Sequence, residues 1–254
     1  MRKKIVVGLI VLIAFVWTVG CKSAISTPTA VPTMLQYIGH SCTLITASDG
    51  TRIISDPYGT SYPSGLTAFP ADLSADAVTV SHFHPDHANN SVIQGTPKVM
   101  IDPGVYQVGM VKITGYKGDH GLVNGRSSGE NTVFVFEIGE VKIVHLGGAG
   151  VVTQSDILAA MEEADVTILD IMGDAAHPLV DELNQLLELK ARTIIPTHYS
   201  FEENPRYYGS ATMAEFLRVV PSDLTVVKQG STVKITPNMP EQLVILAPAV
   251  NENQ

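Results

Sequence analysis

Residues 81–90 read SHFHPDHANN, directly after the apolar segment ADAVTV. A short apolar run bounded by polar residues is a buried strand. His82, His84, Asp86 and His87 therefore sit where a core strand runs out at a sheet edge. Imidazoles placed there need polar partners, and a metal ion is the partner that three imidazoles and a carboxylate have in common. His82 and His84, two apart on extended backbone, face the same side and can point at one ion. Asp86 and His87 follow where the chain can turn into a helix, and can point at a second ion. The fold must then bring the missing ligands from elsewhere.

The rest of the chain supplies a sheet-rich frame. MLQYIGHSCTLITASDGTRIISDPYG reads as strand, strand, Asp-Gly turn, strand. Further strands are expected in PKVMID, VKITGYKGD, TVFVFEIGEVKIVHLG, VTILDIMG and ARTIIPTHYS, with a closing strand–turn–strand in LTVVKQGSTVKITP. Helices are expected in SDILAAMEEA, with Ser155 as N-cap, in HPLVDELNQLLELK and in TMAEFLRVVP. Hairpins early and strand–helix–strand units late fit an α+β fold, two sheets face to face with helices outside, a four-layer αββα sandwich.

The start of the chain is different. Arg2, Lys3 and Lys4 precede the mostly apolar run Ile5–Gly20, and Cys21 follows. This is a secretory signal pattern, short for a membrane span, which needs roughly 20 residues. TVGC is similar to the lipobox of bacterial lipoproteins, in which the cysteine is lipidated. The expected organisation is a signal peptide over 1–20, a Ser/Thr/Pro/Ala tether over 21–33, a folded domain over 34–238 and a C-terminal tail over 239–254. The product is an extracytoplasmic lipoprotein held to the membrane through Cys21. Cys42, the only other cysteine, then has no partner and reads as a small buried residue. Formal net charge is −9, and cleavage removes three further positive charges. That excludes a nucleic-acid partner, which requires clustered Lys and Arg.

HFHPDH resembles the HxHxDH signature of the metallo-β-lactamase superfamily. The blocks YIGHSCTLI…IISDPYG, GDHGLVNGRSSGENTVFVFEIGEVKIVHLGG and IIPTHYS resemble a branch of metal-dependent hydrolases similar to ascorbate-6-phosphate lactonase. The resemblance implies the αββα fold, a first metal on His82, His84 and His120, and a second on Asp86, His87 and His198. It implies Asp56 as the carboxylate that orients ligands, with His40 and His145 as supporting residues. One position departs: the branch reads HLGDxG, where the Asp bridges two metals, and this chain has Gly148 in HLGGAG. Asp174, or Asp170, is the nearest downstream carboxylate to stand in, although Asp174 also reads as a surface loop residue. His177, before Pro178, reads as solvated.

The implied cofactor is zinc, as one or two ions, with Mn²⁺ or Fe²⁺ as alternatives. The implied chemistry is hydrolysis of a small-molecule substrate, an ester or lactone or else a phosphodiester. A water on zinc is acidified to a pKa of about 7 and acts as hydroxide, with Asp86 handling the proton. The alternative is a binding lipoprotein whose hydrolase site has degenerated at Gly148.

Overall fold

A computed structural model describes residues 31–59, 69–124, 126–200 and 210–249, which belong to one compact unit. The expected export signal and most of the tether lie outside the described residues.

Two large sheets form. The six-stranded sheet runs β15 (Thr232–Ile235), β1 (Thr33–Gly39), β2 (Cys42–Thr46), β3 (Arg52–Ser55), β4 (Ala77–Thr79), β5 (Lys98–Met100). The eight-stranded sheet runs β14 (Val226–Gln229), β16 (Gln242–Leu246), β13 (Thr193–Thr197), β12 (Val166–Asp170), β11 (Val141–His145), β10 (Glu130–Ile138), β7 (Val111–Asp119), β6 (Gly104–Val108). A two-stranded ribbon, β8 (Leu122–Val123) and β9 (Arg126–Ser127), follows β7.

Period-two alternation sorts the side chains between faces. Paired Ile45, Ile53 and Ala77 join Ile113, Phe134, Phe136 and Ile143 of the larger sheet in the main core. Leu44, Ile54 and Val78, one residue along, face the other way and pack with Ile38, Tyr58, Phe69 and Ile93. The larger sheet is covered by α1 (Ser155–Glu163), α2 (Leu179–Glu188) and α3 (Met213–Leu217), through Ile157, Leu183, Leu186 and Phe216. This is the expected α+β sandwich of two sheets. Among the described residues the outer layer on the smaller sheet is thin, a loop with one 3₁₀ turn at Asn90–Val92.

Two local expectations are corrected. The segment LTVVKQGSTVKITP is strand–turn–strand as expected, with its strands in different sheets: β14 pairs in parallel with β16 in one, while β15 pairs with β1 in the other. Residues 239–254 are not a tail throughout, because LVIL lies in β16, between β13 and β14, and is buried. The folded domain thus extends past residue 238. Gln154, not Ser155, is the N-cap of α1, and it makes no side-chain capping bond.

Strand direction places the site. β11, β12, β13 and β16 run parallel, as do β3, β4 and β5. Parallel neighbours bring their carboxyl ends to one edge, where open α/β sheets place their ligands. Asp56 follows β3, the 81–87 loop follows β4, Gly148 follows β11, Asp174 follows β12 and His198 follows β13.

Candidate metal centre

After β4 the chain does not enter a helix. It makes a turn in which the His87 and Ala88 amides donate to the His84 carbonyl. The turn is held from β3 by Asp56, whose Oδ1 accepts from the Ser81 amide (2.7 Å) and whose Oδ2 accepts from Ser81 Oγ (2.6 Å). The same Oδ2 lies 3.0 Å from His87 Nδ1, so the other nitrogen of that ring is turned into the site. Ser81 Oγ lies 2.9 Å from His82 Nδ1 and fixes that ring in the same way. Holding the far nitrogen of a ligand imidazole sets its tautomer and direction. The backbone bears strain here as well. Among the described residues six non-glycines have positive φ, and three of them are His40 (+55°), Asp56 (+47°) and His198 (+58°). Such residues persist where the surroundings enforce them, commonly at functional sites.

Two ligand clusters result. His82, His84 and His120 form one; Asp86, His87, His198 and His40 form the other. Within each, the ligand atoms lie within 4.8 Å of one another. The clusters adjoin, the His82 and His87 ring centres being 4.1 Å apart. Asp86 Oδ2 is 3.6 Å from His198 Nε2 and 3.7 Å from His87 Nε2. Ligands on a tetrahedral zinc with bonds of about 2.1 Å stand roughly 3.4 Å apart, so these three atoms fit one ion. His40 Nε2, at 2.8 Å from the same oxygen, is at hydrogen-bonding distance instead. His40 therefore holds Asp86 from the side. Met172, Asp174 and five cluster residues line one cavity of about 370 Å³.

Burial holds four of the imidazoles in the metal-binding form. Burial, then the neighbouring His198, brings His40 down to about 4. Burial, then His177 and His84, brings His120 to about 4, and burial holds His82 and His87 well below the usual imidazole range. Near neutral pH these rings are uncharged, with a lone pair free. Burial alone would raise Asp86, but His198 and His40 outweigh it and hold the carboxyl well below its usual range. His198 is the exception: burial would lower it, yet the Asp86 carboxylate keeps it raised. Imidazoles with one carboxylate are donors suited to zinc.

The other expected residues are placed differently. Gly148 is at the centre: a Cβ there would lie 2.6 Å from His120 Cδ2 and 2.9 Å from His82 Cε1. Imidazole thus fills the space into which a side chain at 148 would project. Asp174 lines the cavity, but its Oδ1 is taken by the Ala176 and His177 amides and by His177 Nδ1. Asp170 is buried and occupied by the hydroxyls of Ser41 and Thr197, which flank His40 and His198 in sequence. His145 is held by main-chain groups. Its Nε2 meets the Ser41 carbonyl and its Nδ1 accepts from the Gly147 amide. His177 is not solvated but buried, edge-on to His120. All eight histidines of the chain thus gather at this edge.

A family model of the beta-lactamase superfamily domain matches residues 34–198, and the chain belongs to that superfamily. Its relatives are more specific. A UPF0173 metal-dependent hydrolase of Natranaerobius thermophilus is 24% identical over 190 residues, 65% of this chain and 83% of that protein. One from Pelotomaculum thermopropionicum is 27% identical over 213 residues, 71% of this chain and 92% of its own. A solved structure of a proposed Zn-dependent hydrolase of the metallo-beta-lactamase superfamily from Thermotoga maritima superposes with a TM-score of 0.66 at 26% identity, covering 84% of this chain and 98% of that one.

Proposed function

We propose that this member of a superfamily of metal-dependent hydrolases is a zinc enzyme cleaving an uncharged ester or lactone. The observation that carries the reading is the pair of adjoining clusters, built of imidazoles around Asp86, open on one cavity. His82, His84 and His120 would hold one ion and Asp86, His87 and His198 the other. When bound, the ions supply Lewis acidity and an acidified water. The protein's own groups do the rest. Asp56 and Ser81 fix the ligand rings, and His40 fixes one oxygen of Asp86. Asp86, lining the cavity, takes and passes the proton. The described lining adds only Met172 and the Asp174 carboxylate to the ligands, which favours an uncharged substrate over a phosphodiester. The lipobox-like TVGC supports placement outside the cytoplasm on a lipid anchor at Cys21.

Gly148 favours a second reading, a binding protein that retains metal without turnover. Assays of the zinc-loaded protein on simple lactones, aryl esters and bis-aryl phosphodiesters separate the two. Turnover of a lactone or ester that is lost in His87→Ala supports the enzyme. Two bound ions with no turnover on any of them supports the binding protein.

A further inference from the structure

We propose that Asp174 and His177 form a positioning pair, gripping the Gly148 turn and the His120 ring from behind so that the first cluster keeps its shape without a carboxylate at position 148. The proposal rests on the metal-centre reading above.

The turn after β11 needs an anchor. It contains Gly147, at φ +57°, Gly148 and Gly150, so little side chain is available to hold it. Both polar groups of Gly148 are nevertheless fixed. Its amide donates to Asn131 Oδ1 (3.1 Å), and its carbonyl faces His177 Nε2 (3.0 Å). The other nitrogen of His177 meets Asp174 Oδ1 at 2.9 Å. That oxygen also accepts the amides of Ala176 (2.8 Å) and His177 (2.9 Å), so the carboxylate fixes both the ring and its backbone. The ring of His177 stands edge-on to His120, 5.1 Å between centres and 88° between planes. The approach depends on the residue after His120. A Cβ on Gly121, at φ +63°, would lie 3.0 Å from His177 Nε2 and 2.7 Å from the Ala176 carbonyl. His177 thus touches the cluster from behind at two points, a ligand ring and the main chain of the turn beside it. Supporting groups of this kind typically contribute about 10–100-fold to metal affinity.

The test uses the full chain with His198→Ala, which disables the second cluster and leaves the first ion alone. Zinc affinity is measured by chelator competition, and Co²⁺ absorption reports the geometry at the first cluster. His177→Ala should weaken the ion by about 10–100-fold and change the Co²⁺ bands. His177→Gln, which keeps a donor for the Gly148 carbonyl, should recover part of both, and Asp174→Asn should fall between. Unchanged affinity and spectrum in His177→Ala would overturn the proposal. So would a loss that His177→Gln does not relieve, which would mark mere packing. A parent protein that binds no metal would overturn the metal-centre reading together with the pair.

Discussion

Gly148→Asp restores the carboxylate that the superfamily resemblance leads one to expect, and the structure sets its consequence. The added Cβ would stand 2.6 and 2.7 Å from Cδ2 and Nε2 of His120 and 2.9 Å from His82 Cε1. All three are closer than a real Cβ tolerates, so a ring must yield. The backbone is not the obstacle, because Gly148, unlike Gly147, is outside the positive-φ region. The cost therefore falls on His120, a partly exposed side chain that can turn aside. Overpacking of this kind costs roughly 1–3 kcal/mol, and about 2–4 °C of melting temperature accompanies each kcal/mol in a domain of this size. The apo variant should melt roughly 2–12 °C below the wild type. With zinc the sign should turn for the second ion, since a carboxylate beside two dications is favourable in a partly dry site. The second ion should bind at least about tenfold more tightly, each decade being about 1.4 kcal/mol. The assay is apo calorimetry with a parallel zinc titration of both proteins. An apo variant as stable as wild type, with its second ion no tighter, would show that His120 does not fill the space in front of Gly148.

Glu182, on α2, is buried with neither carboxylate oxygen hydrogen-bonded among the described residues, and burial raises its pKa. A folded pKa above the unfolded one gives stability present at acid pH and lost as pH rises through the folded value. Glu182→Gln should therefore gain on the wild type in urea melts at pH 8 but not at pH 4, and parallel curves would refute this. His40→Gln loosens the hold on Asp86, so the second ion should weaken by about 10–100-fold while the first is unchanged; equal loss at both ions in a chelator titration would contradict it. Cys21→Ser should block processing and lipid attachment, seen as a heavier chain or as release from membranes on fractionation; unchanged mass and membrane association would count against the anchor.

What could be read from sequence depended on how local its cause was. HFHPDH follows its strand directly, so the ligand cluster could be read from adjacent residues. Asp56 and His198 sit at the ends of strands whose apolar runs were plain, and the motif resemblance singled them out. The roles of Asp174 and His177 were not legible, because nothing in GDAAHP shows that Gly121 and Gly148 pack against it. The strands β14 and β15 were plain on either side of Gly230–Ser231, but their partners were not. Their separate sheets follow from long-range pairing, Val233 and Ile235 facing the core beside β1. β16 was obscured by Pro240 and Pro248, although a continuous LVIL run is what a strand inside a parallel sheet requires.

Metal analysis of three proteins tests the account most directly: the wild type, His84→Ala and His87→Ala, each expressed as the full chain, saturated with zinc and desalted. Two adjoining clusters predict two ions in the wild type and one in each variant, with different affinities for the ion that remains. No bound metal in the wild type, or a full complement in both variants, would contradict it.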